Sequence, residues 1–332
     1  MSTDRISWLV LAALTEPGDR ALGDLVRSIG PAEALTRIVH DRQISPKLAQ
    51  QAHTRLAALG RPRGQQFSGI AEDMLEHADR LGARIITPAD EEWPSSLDDL
   101  AGISTAGRPA LRLTAPPLCL WLRGPVRLEQ ALRRSVSIVG ARAMTSYGQF
   151  VASEFAFGLA DLGWTVVSGG ALGVDVTAHR GALAAGGVTC AVLACGIEQV
   201  YPVSNSAVFE RIAEEGLLMT EWPPGTRPLK AGFLSRDRLV AAATNGTVMV
   251  EAGARSGARN ALGCARLLHR PAMVVPGPVT SAMSVGCHVE LRQPGTVLVT
   301  RVEEIIEEIG SVGASATPIQ DAGRPEDTLD TL

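Results

Sequence analysis

Lysine is nearly missing from this chain: of its 31 basic residues only Lys47 and Lys230 are lysines, and all the others are arginines. Aromatic residues are scarce at 4%, so the core must be mostly aliphatic. No apolar run approaches about 18 residues and no basic stretch leads into an apolar one, which argues against a membrane span or a secretory leader. The cytoplasm is the expected compartment. The five cysteines (Cys119, Cys190, Cys195, Cys264, Cys287) contain no C-x-x-C pair, so neither zinc nor a disulfide framework is expected, and they read as small buried apolar residues. Neither lysine stands in G-x-x-x-x-G-K-[ST], and no G-x-S-x-G or H-E-x-x-H is present. P-loop ATP hydrolysis, serine-hydrolase and zincin chemistry are disfavoured, and no metal or cofactor is called for.

What is there is a globular composition: 332 residues, 45% apolar and 20% charged, enough for one main domain and a smaller one. The net charge of −4 is unevenly spread. Residues 301–332 carry eight acids and two bases, which leaves the rest of the chain slightly positive. Between Pro223 and Arg270, eight bases face only Asp237 and Glu251. That local basic stripe points to an anionic partner.

Residues 1–64 show helical apolar spacing interrupted by Gly and Pro, predicting a small all-helical N-terminal domain. Its Leu22-Gly23-Asp24-Leu25-Val26 segment loosely resembles a helix-hairpin-helix or sterile-alpha-like (SAM) module, either a support for the fold or a contact for DNA or a partner. Arg61-Pro-Arg-Gly64 reads as a linker, followed by a helix over 70–81, a strand over 83–87, and a strand-and-loop extension over 88–134. From Ser135 the alternation is regular. Strands are predicted to end near Gly140, Gly170, Gly196, Glu221, Glu251 and Gly277, with helices between them long enough for right-handed crossovers. The predicted fold is α/β, a doubly wound parallel sheet over 65–310, followed by a disordered acidic tail over 311–332.

The segment Ser135–Gly173 sets two such strand ends side by side, each feeding a helix start, where free N–H groups and a partial positive charge attract anions. Gly140 allows close backbone approach, and Arg142 just beyond it can either fork onto a phosphate or pair with a nearby loop. Ser168-Gly169-Gly170-Ala-Leu-Gly173 resembles a dinucleotide fingerprint, but the following strand ends in Cys195-Gly196 rather than in an acid, which weakens a nicotinamide reading. As a loop of N–H donors with the Ser168 hydroxyl it suits any phosphate. Asp175 and His179, one turn apart, are either an acid–base pair or a helix-start Asp beside a packed His. Lys230, Phe233, Arg236 and Arg238 combine cations with a ring at a helix start, as a single-strand site would, although a solvated helix start with Phe233 in the core has the same composition. Arg255, Ser256 and Gly257 repeat the theme at the end of another strand.

Together these residues resemble the DprA family, also called Smf, the DNA-processing proteins of bacterial natural transformation. The matching stretches, in order, are SIVGAR with Tyr147-Gly148, SGGALGVD with Ala178-His179, Gly196-x4-Tyr201-Pro202-x2-Asn205, Glu221-Trp-Pro-Pro-Gly225, Phe233-x2-Arg236-x-Arg238, Val250-Glu251-Ala with Ser256-Gly257, and Val275-Pro-Gly-Pro278 followed by Gly286. The resemblance implies an extended Rossmann-like domain that binds single-stranded DNA without cutting it, protects incoming strands, forms a homodimer and hands the strand to the RecA recombinase. In that reading Arg142 and Ser168-Gly169-Gly170 hold phosphates, and Lys230, Phe233 and Arg236 line the strand's path. The chain departs from the family pattern at Leu172, Arg259 and Ala261, and at Asp237, where the family usually has Asn. The winged-helix domain that many relatives carry at the C-terminus is not found in the sequence. Affinity dominated by phosphates predicts binding that is steeply salt-dependent and nearly indifferent to base sequence. Two other readings use the same pocket: a phosphoribohydrolase-like enzyme, whose P-G-G-x-G-T-x-x-E motif is missing around Gly246–Glu251, and a nucleotide sensor.

Overall fold

The computed structural model describes residues 2–40, 43–59, 68–104 and 114–314. Five helices come first: α1 (Thr3–Leu14), α2 (Arg20–Ile29), α3 (Pro31–Val39), α4 (Pro46–Ala58) and α5 (Ser68–Arg80). Ser2, Asp19 and Ser45 begin α1, α2 and α4 by accepting the backbone N–H of Arg5, Leu22 and Leu48, which offsets donors that a helix start leaves unpaired. Pro31 and Pro46 stand in the first turn, where a missing N–H costs nothing. The apolar stripes meet at Leu9, Leu14, Leu22 and Ile38. This cluster does not close on itself; it continues into Ile85, Trp121, Val176, Ala191 and Phe209 of the sheet region. The linker predicted at 61–64 lies outside the described residues; Leu56 before it and Ile70 after it belong to the same apolar cluster.

The sheet has nine strands: β1 (Arg84–Ile86), β2 (Leu120–Arg123), β3 (Ser135–Val139), β4 (Thr165–Ser168), β5 (Thr189–Val192), β6 (Leu217–Thr220), β7 (Gly246–Met249), β8 (Ala272–Val274) and β9 (Thr296–Leu298). Their order is β1-β2-β6-β5-β4-β3-β7-β8-β9, all parallel from β6 to β9, with β2 antiparallel to β6 and β1 to β2. Every residue of β3 to β7 is buried, as expected of strands covered on both faces. The remaining helices are α6 (Leu128–Leu132), α7 (Ser146–Asp161), α8 (Val174–Ala184), α9 (Ser206–Glu215), α10 (Lys230–Ala242), α11 (Ala258–Leu267), α12 (Val285–Glu290) and α13 (Val302–Ala314). Helices α7, α8 and α13 cover one face through Phe155, Ala178 and Ile305. Helices α10 and α11 cover the other through Leu239 and Leu262.

The predicted α/β, doubly wound, extended Rossmann-like sheet with helices at its N-terminal side is what the chain forms. Winding runs outward from β3 through β4 and β5 to β6, then returns to β7 on the other side of β3. The reversal lies between β3 and β7. Helix α13 continues to Ala314, into the segment predicted to be disordered from residue 311; the rest of that tail lies outside the described residues. No helix among the described residues is long and apolar enough to cross a membrane.

Candidate nucleic-acid interface

In an open parallel sheet the crevice forms beyond the strand ends where the winding reverses. Here the ends of β3 and β7 border a cleft of about 840 Å³, walled by the loop after β3, the first turns of α10 and the loop entering α11. Gly140, Arg142, Phe233, Arg236, Ser256 and Gly257, all singled out in the sequence, line it. Gly173 lets two of its loops touch: its φ is +81°, and an added Cβ would sit 2.2 Å from the carbonyl oxygen of Ala141. No side chain fits there.

Phe233 is gripped on several sides. The Arg142 guanidinium carbon lies 5.2 Å from its ring centre, that of Arg236 6.0 Å, and the Tyr201 ring 5.7 Å away at a tilt of 57°. Arginine over an aromatic face gains quadrupole attraction, and the same arrangement accepts a flat nucleobase. Phe233, Arg236, Asp237 and Val240 follow helical i, i+3, i+4, i+7 spacing, so one face of α10 meets the cleft. Lys230 is the first residue of that helix.

Arg238 falls on the opposite face, and its predicted role as a nucleic-acid contact needs correction. It is 1% exposed and donates to both oxygens of Glu221 at 2.6 Å, to Ser235 O at 2.8 Å and to Ala115 O at 3.0 Å. Its guanidinium also lies against Gly18 of the N-terminal helices. It is an internal strut. Ser168 is likewise not free for phosphate: it is fully buried, and its hydroxyl donates to Ile138 O at 2.6 Å. Gly169 lies beneath Arg236, whose Nη1 would be 1.2 Å from an added Cβ, while Gly170 packs on Phe209 and its carbonyl accepts from Asn205. The Ser168-Gly169-Gly170 loop therefore seats Arg236 and does not itself line the cleft.

The two helix starts predicted to receive an anion already hold carboxylates. Glu251 accepts from Thr145 N (2.8 Å) and Thr145 Oγ1 (2.6 Å) at the head of α7. Asp175 accepts from Ala171 N at 3.3 Å at the head of α8. At the start of α11, Ser256 Oγ accepts from Ala258 N at 3.4 Å and Gly257 O from Asn260 N at 2.8 Å, and Ser256 and Gly257 line the cleft. Arg142 and Arg255 are exposed at the rim, and neither makes an ion pair with a described residue.

At the floor, Arg236 is only 5% exposed and lies between two carboxylates, with Nη1 4.0 Å from Asp175 Oδ2 and Nε 3.3 Å from Asp237 Oδ1. Its charge is offset locally. Burial pushes the Asp237 carboxyl up to about 6 against the opposing pull of Arg236, and burial likewise raises that of Asp175. His179, fully buried, is pushed down to about 3 by desolvation with a smaller contribution from Arg236. Its Nδ1 meets Thr189 Oγ1 at 2.7 Å, so it is a packed neutral histidine and not the partner of Asp175.

Sequence reasoning named no cleft role for Tyr201 and did not place Asp175 and Asp237 beside Arg236. The helical spacing within α10 was the signal for Asp237. For Tyr201 the Tyr-Pro pair in the Gly196–Asn205 motif was the pointer.

Comparison with known proteins identifies the family. The model of the DNA recombination-mediator protein A family matches residues 84–310. A Mycobacterium tuberculosis protein provisionally named DNA processing protein DprA is 45% identical over 326 residues, 98% of this chain and 79% of that one. The crystal structure of DNA processing protein A from Streptococcus pneumoniae superposes with a TM-score of 0.72 at 24% identity, covering 93% of this chain and 98% of its own. A solved structure of DNA processing protein A from Helicobacter pylori, described for its single-stranded DNA binding mode, gives a TM-score of 0.57 at 26% identity over 70% of this chain and 97% of its own. This chain belongs to the DNA recombination-mediator protein A family of DNA-processing proteins.

Proposed function

We propose that the cleft between β3 and β7 binds single-stranded DNA without chemistry, and that the protein protects incoming strands and promotes their loading onto RecA as a cytoplasmic homodimer. The observation that carries the binding step is Phe233 held under Arg142 at the mouth of a cleft whose rim also carries Arg255. A base stacked on Phe233 takes the place of the Arg142 guanidinium, which then turns to the adjacent phosphate. Arg255 at the rim and the Ser256 hydroxyl, which line the cleft at the entry to α11, receive the next one. Duplex DNA has no exposed base face to offer, so the arrangement favours unpaired strands. The single-strand binding of the H. pylori relative supports the same reading.

The test is fluorescence anisotropy with labelled oligo-dT and a duplex of equal length at two salt concentrations. Three phosphate contacts, from Arg142 and Arg255 at the rim and from Lys230 as the family resemblance implies, give a log–log salt slope of about −2 at roughly 0.7 per phosphate. Preferential binding of the single strand with such a slope is expected. No binding at low salt, or equal binding of the duplex, would overturn the reading. RecA loading is tested next by displacement of a single-strand-binding protein from the same oligonucleotide.

A further inference from the structure

Two carboxylates, Asp175 and Asp237, line the cleft together with the guanidiniums of Arg142, Arg236 and Arg255. A carboxylate at the floor repels the phosphates that the rim attracts, so each one lowers affinity. The two are held differently. Asp175 stands in the first turn of α8, accepts from Ala171 N at 3.3 Å, and is also favoured as an anion by the Gly140 N–H. Asp237 accepts from no backbone N–H among the described residues; its Oδ1 lies 3.3 Å from Arg236 Nε and its Oδ2 accepts from Asn260 Nδ2 at 3.3 Å. The Arg236 guanidinium makes one hydrogen bond among the described residues, from Nη1 to Val192 O at 3.3 Å. With both carboxyls ionised, the floor carries one negative charge in excess.

We propose that Asp237 attenuates the cleft: as a carboxylate it cancels Arg236 toward DNA, and on taking up a proton from solvent it releases Arg236 to hold one further phosphate. The proposal rests on the single-strand reading above and names what sets its affinity. Facing Asp237 are Arg236 on its own helix, Asn260 and Cys264 on α11, Asp175 on α8 and Arg142 after β3. Guanidiniums do not titrate in proteins, and the Cys264 thiol, pushed up to about 12 by burial, keeps its proton. Among the described residues no histidine lines the cleft. Burial already pushes the Asp237 carboxyl up to about 6. A phosphate arriving beside it adds a like charge and raises it further, so the complex holds the proton more tightly than the free protein and affinity rises as pH falls through that value.

The experiment measures oligo-dT binding by anisotropy at pH 8 and at pH 5.5, in the parent and in Asp237→Asn. Neither thymine nor the phosphodiester takes up a proton in this range, and histidines elsewhere shift both proteins alike, so the ratio of the two affinities isolates Asp237. One charge about 10 Å from a phosphate at an effective dielectric constant of about 20 changes affinity about ten-fold. The variant is expected to bind about ten-fold more tightly than the parent at pH 8, with a salt slope steeper by about 0.7, and about equally at pH 5.5. Should that variant fail to fold, Asp237→Ser makes the same comparison. A ratio near one at pH 8, or a ratio that pH leaves unchanged, overturns this inference and leaves the single-strand reading standing. Absence of binding by either protein at low salt overturns both.

Discussion

Removing Arg238 separates a strut from a ligand contact in one substitution. Its guanidinium makes four hydrogen bonds in the interior, two of them to Glu221, which is itself 4% exposed. In Arg238→Ala the Glu221 carboxylate stays buried with its counter-charge gone, and Ala115 O loses a donor. Breaking one side of a buried ion pair costs about 3–5 kcal/mol. With a urea slope of about 3 kcal/mol per M, the unfolding midpoint falls by roughly 1–1.7 M. The assay is urea denaturation followed by circular dichroism, with Arg142→Ala as the control; that side chain is exposed and its loss moves stability by about 0.5 kcal/mol or less. Replacing both partners, in Arg238→Met with Glu221→Leu, removes the orphaned charge and is expected to recover most of the loss. Below the denaturation range, the salt slope of Arg238→Ala on single-stranded DNA should equal that of the parent, because the residue touches no part of the cleft. A midpoint shift under about 0.3 M, or a double variant as unstable as the sum of the singles, would refute the strut.

The rim makes the opposite prediction: Arg142→Ala and Arg255→Ala each lower single-strand affinity and reduce the salt slope by about 0.7 with the thermal midpoint unchanged, as read by anisotropy at three salt concentrations. For Asp237, a carboxyl raised to about 6 in the folded protein and near 3.9 when unfolded means that the folded state holds its proton more tightly between those values. Its contribution to stability is therefore greatest at low pH and is lost as pH rises from about 4 through about 6, so Asp237→Asn should be more stable than the parent at pH 7–8 and lose that advantage near pH 4, as read by thermal midpoints of the two proteins across the range. Gly169→Ala should displace Arg236, because the added methyl has no room beside its guanidinium. Circular dichroism is expected to show a lower melting temperature, and anisotropy a weaker affinity for oligo-dT.

Much of this molecule is written in its sequence because parallel strands announce themselves twice, as β-rich runs and as the glycines or carboxylates that stop them. Val136–Val139 followed by Gly140, and Val248–Val250 followed by Glu251, locate both sides of the cleft before any coordinates. Strand β9 escaped notice because three residues, half exposed at the sheet's edge, carry too little apolar pattern. The side-chain directions were harder. A run such as Lys230–Arg238 gives composition but not facing, and only the 3.6-residue period separates Arg236, turned to the cleft, from Arg238, turned 200° away into Glu221. Ser168 misled for a related reason: a hydroxyl beside two glycines reads as a ligand donor, yet a fully buried β4 obliges it to satisfy a neighbouring carbonyl instead. The occupied head of α7 could not be foreseen, since Glu251 lies more than 100 residues from the helix start it caps, whereas the Asp at the head of α8 stands in its own first turn.

The apolar cluster shared by α1–α5 and the sheet bears on how the protein comes apart. Leu9 and Leu14 are as deeply shielded as Ala191 in β5, and Arg5 of α1 also donates to Ile85 O of β1 at 3.0 Å. Layers joined in this way unfold as one cooperative block rather than peeling off. Amide protons in the middle of α1 should then exchange with solvent as slowly as those of the central strands. A fragment lacking the first five helices would bare Trp121 and Phe209 along a sheet flank, and would be prone to self-association before any question of DNA arises.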